Sequence, residues 1–148
     1  MTFFDTSDLY SDEIKLVLEQ TKEADPSRNR APAYSFSIVD MKGNQVGTCS
    51  LKLGYLPTLY YCGHIGYEVF EPYRGHHYAA KACKLLFPLA KKHGMDYLYI
   101  TCLPENAPSR KTCEYLGGKL VEIATLPDDH DLRTEYGHTV ECVYRFDL

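Results

Sequence analysis

The sequence predicts an α+β domain, a mixed sheet covered by two helices, and three observations carry that reading. Short runs rich in β-branched and aromatic residues fill much of residues 13 to 70. A helical spacing of apolar residues replaces them from about residue 76 to residue 93. Strand-like and helical runs then alternate to the C-terminus, which puts helices against a sheet.

The elements follow in order. "EIKLVLEQ" (13 to 20) places Ile14, Leu16 and Leu18 on one side at period two and predicts a strand, with a helix through Ile14, Val17 and Leu18 as the alternative. "KEADPSRNRAP" is a polar, Pro-bearing loop. "AYSFSIVD" (33 to 40) and "VGTCSLKL" (46 to 53) read as strands joined by a hairpin turn at "MKGNQ", and "YYCGHIGYEVF" (60 to 70) continues the sheet. A helix then runs from near His76, with Tyr78, Ala82, Leu85, Leu86 and Leu89 on one face. Lys91, Lys92 and His93 crowd its end and Gly94 stops it. Pro88 removes a bond to the carbonyl four residues back, so a kink or a solvated break is expected there. "DYLYITCL" (96 to 103) is a strand apolar on both sides. "ENAPSRKTCEYLGG" is a second helix capped by Asn106, with Pro108 in its first turn. "KLVEIATL" and "HTVECVYRFDL" close the chain as strands.

Composition narrows the class. At 148 residues the chain suits one domain, 1–148, with a sizeable core. Its 45% hydrophobic and 24% charged residues place it among globular proteins and exclude disordered and fibrous ones. The first twenty residues lack a basic start and a long apolar run, so neither a leader peptide nor a membrane partner is expected. Cysteines at 49, 62, 83, 102, 113 and 142 form no Cys-x-x-Cys pair. They read as reduced thiols in a cytoplasmic protein rather than as a disulfide framework or a metal site. Charge is segregated. Between Arg74 and Lys119 eight Lys and Arg face three Asp and Glu, a local +5 that leaves −9 elsewhere in a chain of net charge −4. A basic middle in an acidic whole speaks against nucleic acid as a partner and for a small anionic ligand.

The stretch "YRGHHYAAKA" (73 to 82) is where such a ligand would sit. A loop joins a strand to a helix start there, and helix starts offer unpaired N–H groups and the positive end of the dipole. Gly75 lets a ligand approach the backbone and Arg74 adds charge, as a phosphate or pyrophosphate requires.

"GYEVFEPYRGHHYAAKA" followed by "PENAPSRKTCEYLGGKL" resembles the GNAT superfamily of acetyltransferases. That family carries an Arg/Gln-x-x-Gly-x-Gly/Ala loop, then Asn with a small residue three places on and Gly eleven places on. Arg74 and Ala79 take the ends of the loop; Asn106, Ser109 and Gly117 match the second motif. The resemblance runs from about residue 34 to the end. It implies a mostly antiparallel sheet with a central V-shaped splay, and first helices shortened, because residues 21 to 33 are too few for two of them. It implies acetyl-CoA as co-substrate and no metal. The backbone of Arg74, Gly75, His76, His77, Tyr78 and Ala79 would hold the pyrophosphate, with His77 standing where the family usually has Gly. The strand at Glu68 and Val69 would pair with the pantetheine arm, aided by Asn106 and Ser109. Arg110 and Lys111 are candidates for the outer phosphate.

The resemblance also implies acetyl transfer to a primary amine. Glu68 would be the general base, and the Val69 N–H would polarise the thioester oxygen. Cys113 stands where the family often has a Tyr that protonates the departing thiolate; Tyr115 and water are the other sources of that proton. The loop "LPDDHDLRTEYGH" (126 to 138) is the expected wall of the acceptor pocket, its acids meeting a cation. The acidic remainder favours a small-molecule amine over a protein amine. A homodimer through the C-terminal strands is compatible with the pattern but not demanded by it. Two other readings compete: a non-catalytic acyl-CoA-binding or sensing module, and a metal-dependent hydrolase built on His64, His76 and His77.

Overall fold

The computed structural model describes residues 2–148. Four strands, β1 (Ile14–Lys22), β2 (Ala33–Asp40), β3 (Gln45–Lys52) and β4 (Ile65–Val69), form one antiparallel sheet in that order. A second antiparallel sheet has the order β5 (Tyr97–Cys102), β7 (Val140–Asp147), β6 (Lys119–Thr125). Short helical turns α1 (Leu59–Cys62) and α4 (Asp131–Thr134) accompany two longer helices, α2 (Tyr78–Lys92) and α3 (Ala107–Tyr115). Between β1 and β2 there is only a one-turn 3-10 segment, Pro26–Arg28, so the chain has no helices at that point.

The two sheets touch at one end. The His64 amide donates to the Tyr99 carbonyl at 2.7 Å, and the Tyr99 amide donates to His64 Nδ1 at 3.0 Å. His64 Nε2–H is spent on the Gly54 carbonyl at 2.8 Å, which sets the tautomer. Beyond this staple β4 and β5 share no ladder, and the sheets diverge as a V.

α2 covers one face. Ala82, Cys83, Leu86, Leu89 and Ala90 pack against Tyr34, Phe36, Ile38, Leu51, Leu98 and Ile100, the inward residues of alternating strands. The opposite face of the β5–β7–β6 sheet is closed by α1 and the β6–β7 loop, which bury Leu59, Leu126 and Val143.

Four details differ from the sequence reading. Tyr60 to Cys62, read as the start of a strand, belong to the helical turn α1, and the strand begins only at Ile65, after Gly63 at a positive φ of 78°. Leu18 is 41% exposed, because a bulge between Leu18 and Gln20 interrupts the pairing on an edge strand. α2 starts at Tyr78 rather than His76, since His77 holds a left-handed conformation (φ 60°) that a helix cannot continue. Finally, α2 runs unbroken through Pro88. Pro88 and Lys84 are both exposed, so water can take the Lys84 carbonyl that proline leaves without a donor.

Candidate active site

The V opens into a cleft of about 830 Å³. It runs from Arg74, Gly75, His77, Tyr78 and Ala79, past Tyr67, Glu68 and Val69 of β4 and Asn106 and Ser109 of α3, to Leu132, His138 and Glu141.

At its outer end the loop is built to present amides. Gly75 (φ 93°) and His77 both take left-handed backbone, which turns successive N–H groups to one side. The first α2 bond is Lys81 N to His77 O, and no acceptor for the amides of residues 75 to 80 exists among the described residues. Gly75, His76 and His77 are exposed. His77 thus adopts the conformation for which a glycine is the ordinary choice, at a cost of about 1–3 kcal/mol. Its ring is parked on Tyr115, stacked at 5.1 Å and 21°, and His76 lies against Tyr78.

β4 supplies a free edge. The Phe70 amide is bonded to Val46 O on β3, and Thr48 and Gly47 pair with Glu68 and Val69. By strand alternation the Val69 amide points away from β3, into the cleft. Arg74 does not stand free above the loop: its Nε–H donates to the Val69 carbonyl at 3.0 Å, tying the loop to the strand. Gly47 makes this register possible, since a Cβ there would lie 2.1 Å from the Glu68 carbonyl oxygen.

Asn106 caps α3, its Oδ1 accepting from the Ser109 amide at 3.2 Å, and both residues line the cleft. Ser109 Oγ and the Tyr67 hydroxyl are 2.6 Å apart. Glu68 is exposed on the strand. Cys113 is fully buried, lies in the core cluster and is not among the lining residues. Burial pushes its thiol up to about 12. Arg110 turns to the sheet, its Nε–H donating to Tyr144 Oη at 3.1 Å.

Two lining residues escaped the sequence reading. Tyr67 hid among thirteen tyrosines. Glu141 is 3% exposed, with Oε1 2.6 Å from His138 Nδ1. Burial raises its carboxyl above the ordinary range, against the lowering effect of His138. A lone carboxylate inside the two-sided apolar run "TVECVYRF" was the available signal. The β6–β7 loop does wall the cleft, through Leu132 and His138. Its acids Asp129 and Asp131 lie instead on a separate hollow with Arg28 and Thr58, so they do not meet the cleft as expected.

A cleft between splayed strands, headed by a row of unpaired amides, suits a long thioester with a diphosphate. Residues 5–119 match the family model for the acetyltransferase (GNAT) domain. The chain belongs to the GNAT acetyltransferase family. Among solved structures it is similar to the microcin C7 self-immunity acetyltransferase MccE in complex with acetyl-CoA and AMP (TM-score 0.60, 18% identity, 78% of this chain and 61% of that one). It is also similar to the ribosomal-protein-S5-alanine acetyltransferase from Vibrio fischeri (0.60, 20%, 78% and 61%). An acetyltransferase from Agrobacterium tumefaciens str. C58 gives 0.58, 22%, and the same coverages of 78% and 61%. At these identities the likeness is one of fold, and this GNAT chain spans 61% of the length of each of the three. No curated protein sequence matches it. No helix among the described residues is long and apolar enough to cross a membrane.

Proposed function

We propose that the chain is a single-domain N-acetyltransferase that moves an acetyl group from acetyl-CoA to a primary amine of a small molecule by direct transfer. The observation that supports it is the continuity of the cleft, from the unpaired amides of 75 to 80 to a carboxylate-bearing far end.

The amides and the dipole of α2 hold the diphosphate, and Gly75 lets it approach. The free edge of β4 pairs with the pantetheine arm as an added strand would, Asn106 contributing from α3. The Val69 N–H donates to the thioester oxygen as it gains negative charge. Holding amine and thioester together supplies much of the acceleration. A cleft carboxylate takes the ammonium proton, Glu68 being the one the family resemblance points to. Cys113 is a poor acid for the departing thiolate. A thiol near 12 giving its proton to one with an ordinary value of about 8.5 runs uphill by roughly 5 kcal/mol. The attacking nitrogen, which must lose a proton on forming the amide, is the better source, directly or through water in the open cleft.

A thermal-shift titration with acetyl-CoA, free CoA and ATP tests the ligand class. Acetyl-CoA and CoA should raise the melting temperature and ATP should not. No shift with either CoA species, measured alongside absence of acetyl transfer, would remove the reading.

A further inference from the structure

Glu141 follows one place before Cys142, the β7 partner of Cys102, so its side chain leaves the sheet on the face away from α2. There it lines the far end of the cleft beside Leu132 and His138. His138 Nδ1–H occupies Oε1. Oε2 has no side-chain donor, and no side-chain polar atom sealed from solvent lacks a partner among the described residues. That oxygen therefore opens onto the cleft. The other ionisable groups acting on Glu141 are Glu105, which disfavours its charge, and His130, which favours it, with the Cys102 and Cys142 thiols also near.

We infer that Glu141, oriented by His138, is where the acceptor's ammonium docks and leaves its proton, so that the cleft selects cationic alkylamines. This rests on the acetyl-transfer reading above and gives the proton to Glu141 rather than Glu68. An exposed carboxylate such as Glu68 binds an ammonium by no more than about 1 kcal/mol, and water competes for it. A buried, singly hydrogen-bonded carboxylate pays its desolvation cost already and regains it when an ammonium arrives. Its raised carboxyl also makes it a stronger base than a solvated one.

The step balances. An ammonium N–H donates to Oε2 and its proton moves to Glu141, leaving a neutral amine. The amine lone pair forms the C–N bond to the carbonyl carbon, and the C–S bond breaks with its electron pair on sulfur. The nitrogen gives its surplus proton to that thiolate, so amide and thiol leave neutral. Glu141 releases its proton to solvent when the amide departs.

The test compares two kinds of acceptor at pH 7: alkyldiamines and spermidine, which are cationic, and benzhydrazide, which is already neutral. Glu141→Gln should lose about 10²- to 10³-fold in kcat/KM on the cationic amines. It should lose less than about fivefold on the hydrazide, because the hydrazide needs no base. Its rate on alkylamines should climb about tenfold per pH unit with the free-amine fraction, while the Kd for acetyl-CoA stays within about threefold. His138→Ala removes the hydrogen bond that lowers the Glu141 carboxyl, so the acid limb of its pH profile should move up. That variant carries the test if the Gln variant folds poorly. A wild-type rate and pH profile in Glu141→Gln, or alkylamines ignored while acetyl-CoA binds, overturns the inference. Acetyl-CoA failing to bind at all overturns the acetyl-transfer reading instead.

Discussion

Replacing Gly47 with Ala puts one methyl group where the register of the cleft is decided. Its Cβ would stand 2.1 Å from the Glu68 carbonyl oxygen and 3.1 Å from Val69 Cα. Both contacts are backbone, so no side chain can swing aside. Restoring an ordinary separation of roughly 3.2 Å requires β3 and β4 to part by about 1 Å, at the residues whose far edge lines the cleft. Overpacking of this kind costs about 1–3 kcal/mol. For a chain of this size that lowers Tm by roughly 3–10 °C. The larger effect falls on turnover, because a displacement of about 1 Å at the reacting groups costs about 10²-fold in rate. Calorimetry and steady-state acetylation with a fixed alkylamine separate the two. Gly43→Ala in the adjacent hairpin meets no atom but sits at a positive φ of 84°, so it should lose about 1 kcal/mol of stability while keeping near-wild-type turnover. Gly47→Ala melting within 1 °C of wild type with unchanged kcat would refute the claim that this close approach sets the strand edge.

Three further outcomes are expected. His64→Leu leaves the part-buried Tyr99 amide without its acceptor, so it should cost about 1–3 kcal/mol near neutral pH by denaturant titration. Burial holds the His64 ring below its ordinary value, so the native state binds fewer protons than the unfolded one. Wild-type stability should therefore fall as pH drops below about 6.5, and the slope should shrink in the variant. Cys113→Ala should lower stability by about 1 kcal/mol yet leave kcat within about threefold, because the thiol sits in the core; a hundredfold loss would restore it as the acid. Asn106→Ala should lose about 1 kcal/mol of α3 capping together with acetyl-CoA affinity, measured by calorimetry of binding.

How much of this was legible depended on whether the cause was local. Seven strands and two long helices rest on hydrophobic period and capping residues, which act within a few positions, and they occur in the order the pattern gave, although Tyr60 to Cys62, read as strand, form the turn α1 instead. The turn at 74 to 79 that opens the long helix was legible for the same reason: glycine before a helix is read directly. Glu141 was not, because its meaning comes from a cleft built by β4, α3 and the β6–β7 loop together. Leu18 looked like a core residue on period alone; the bulge that interrupts its strand leaves no trace in a window of eight residues. Arg110 carried the right charge, but a tyrosine thirty-four positions away captures it.

The absence of helices between β1 and β2 shapes the acceptor end. Two distant segments meet there, α1 before β4 and the loop after β6, and His130 joins them. Its Nε2 lies 2.9 Å from Thr58 Oγ1 and its Nδ1 accepts from the Leu132 amide at 3.1 Å. His130 is buried and Tyr61 packs edge-on against it. Leu132 and Cys62, on the two joined segments, both line the cleft. On the proposed reading, the acceptor end is held by two short turns joined by this imidazole and by the packing of Leu59 and Leu126, whereas the diphosphate end is the start of a fifteen-residue helix. Short turns without a ladder open at low free-energy cost, while a helix packed on the core does not. If the cleft binds as proposed, thioester and acceptor are held by elements of different rigidity, and His130→Ala should change the relative kcat/KM across a panel of amines while the acetyl-CoA Kd stays within about threefold.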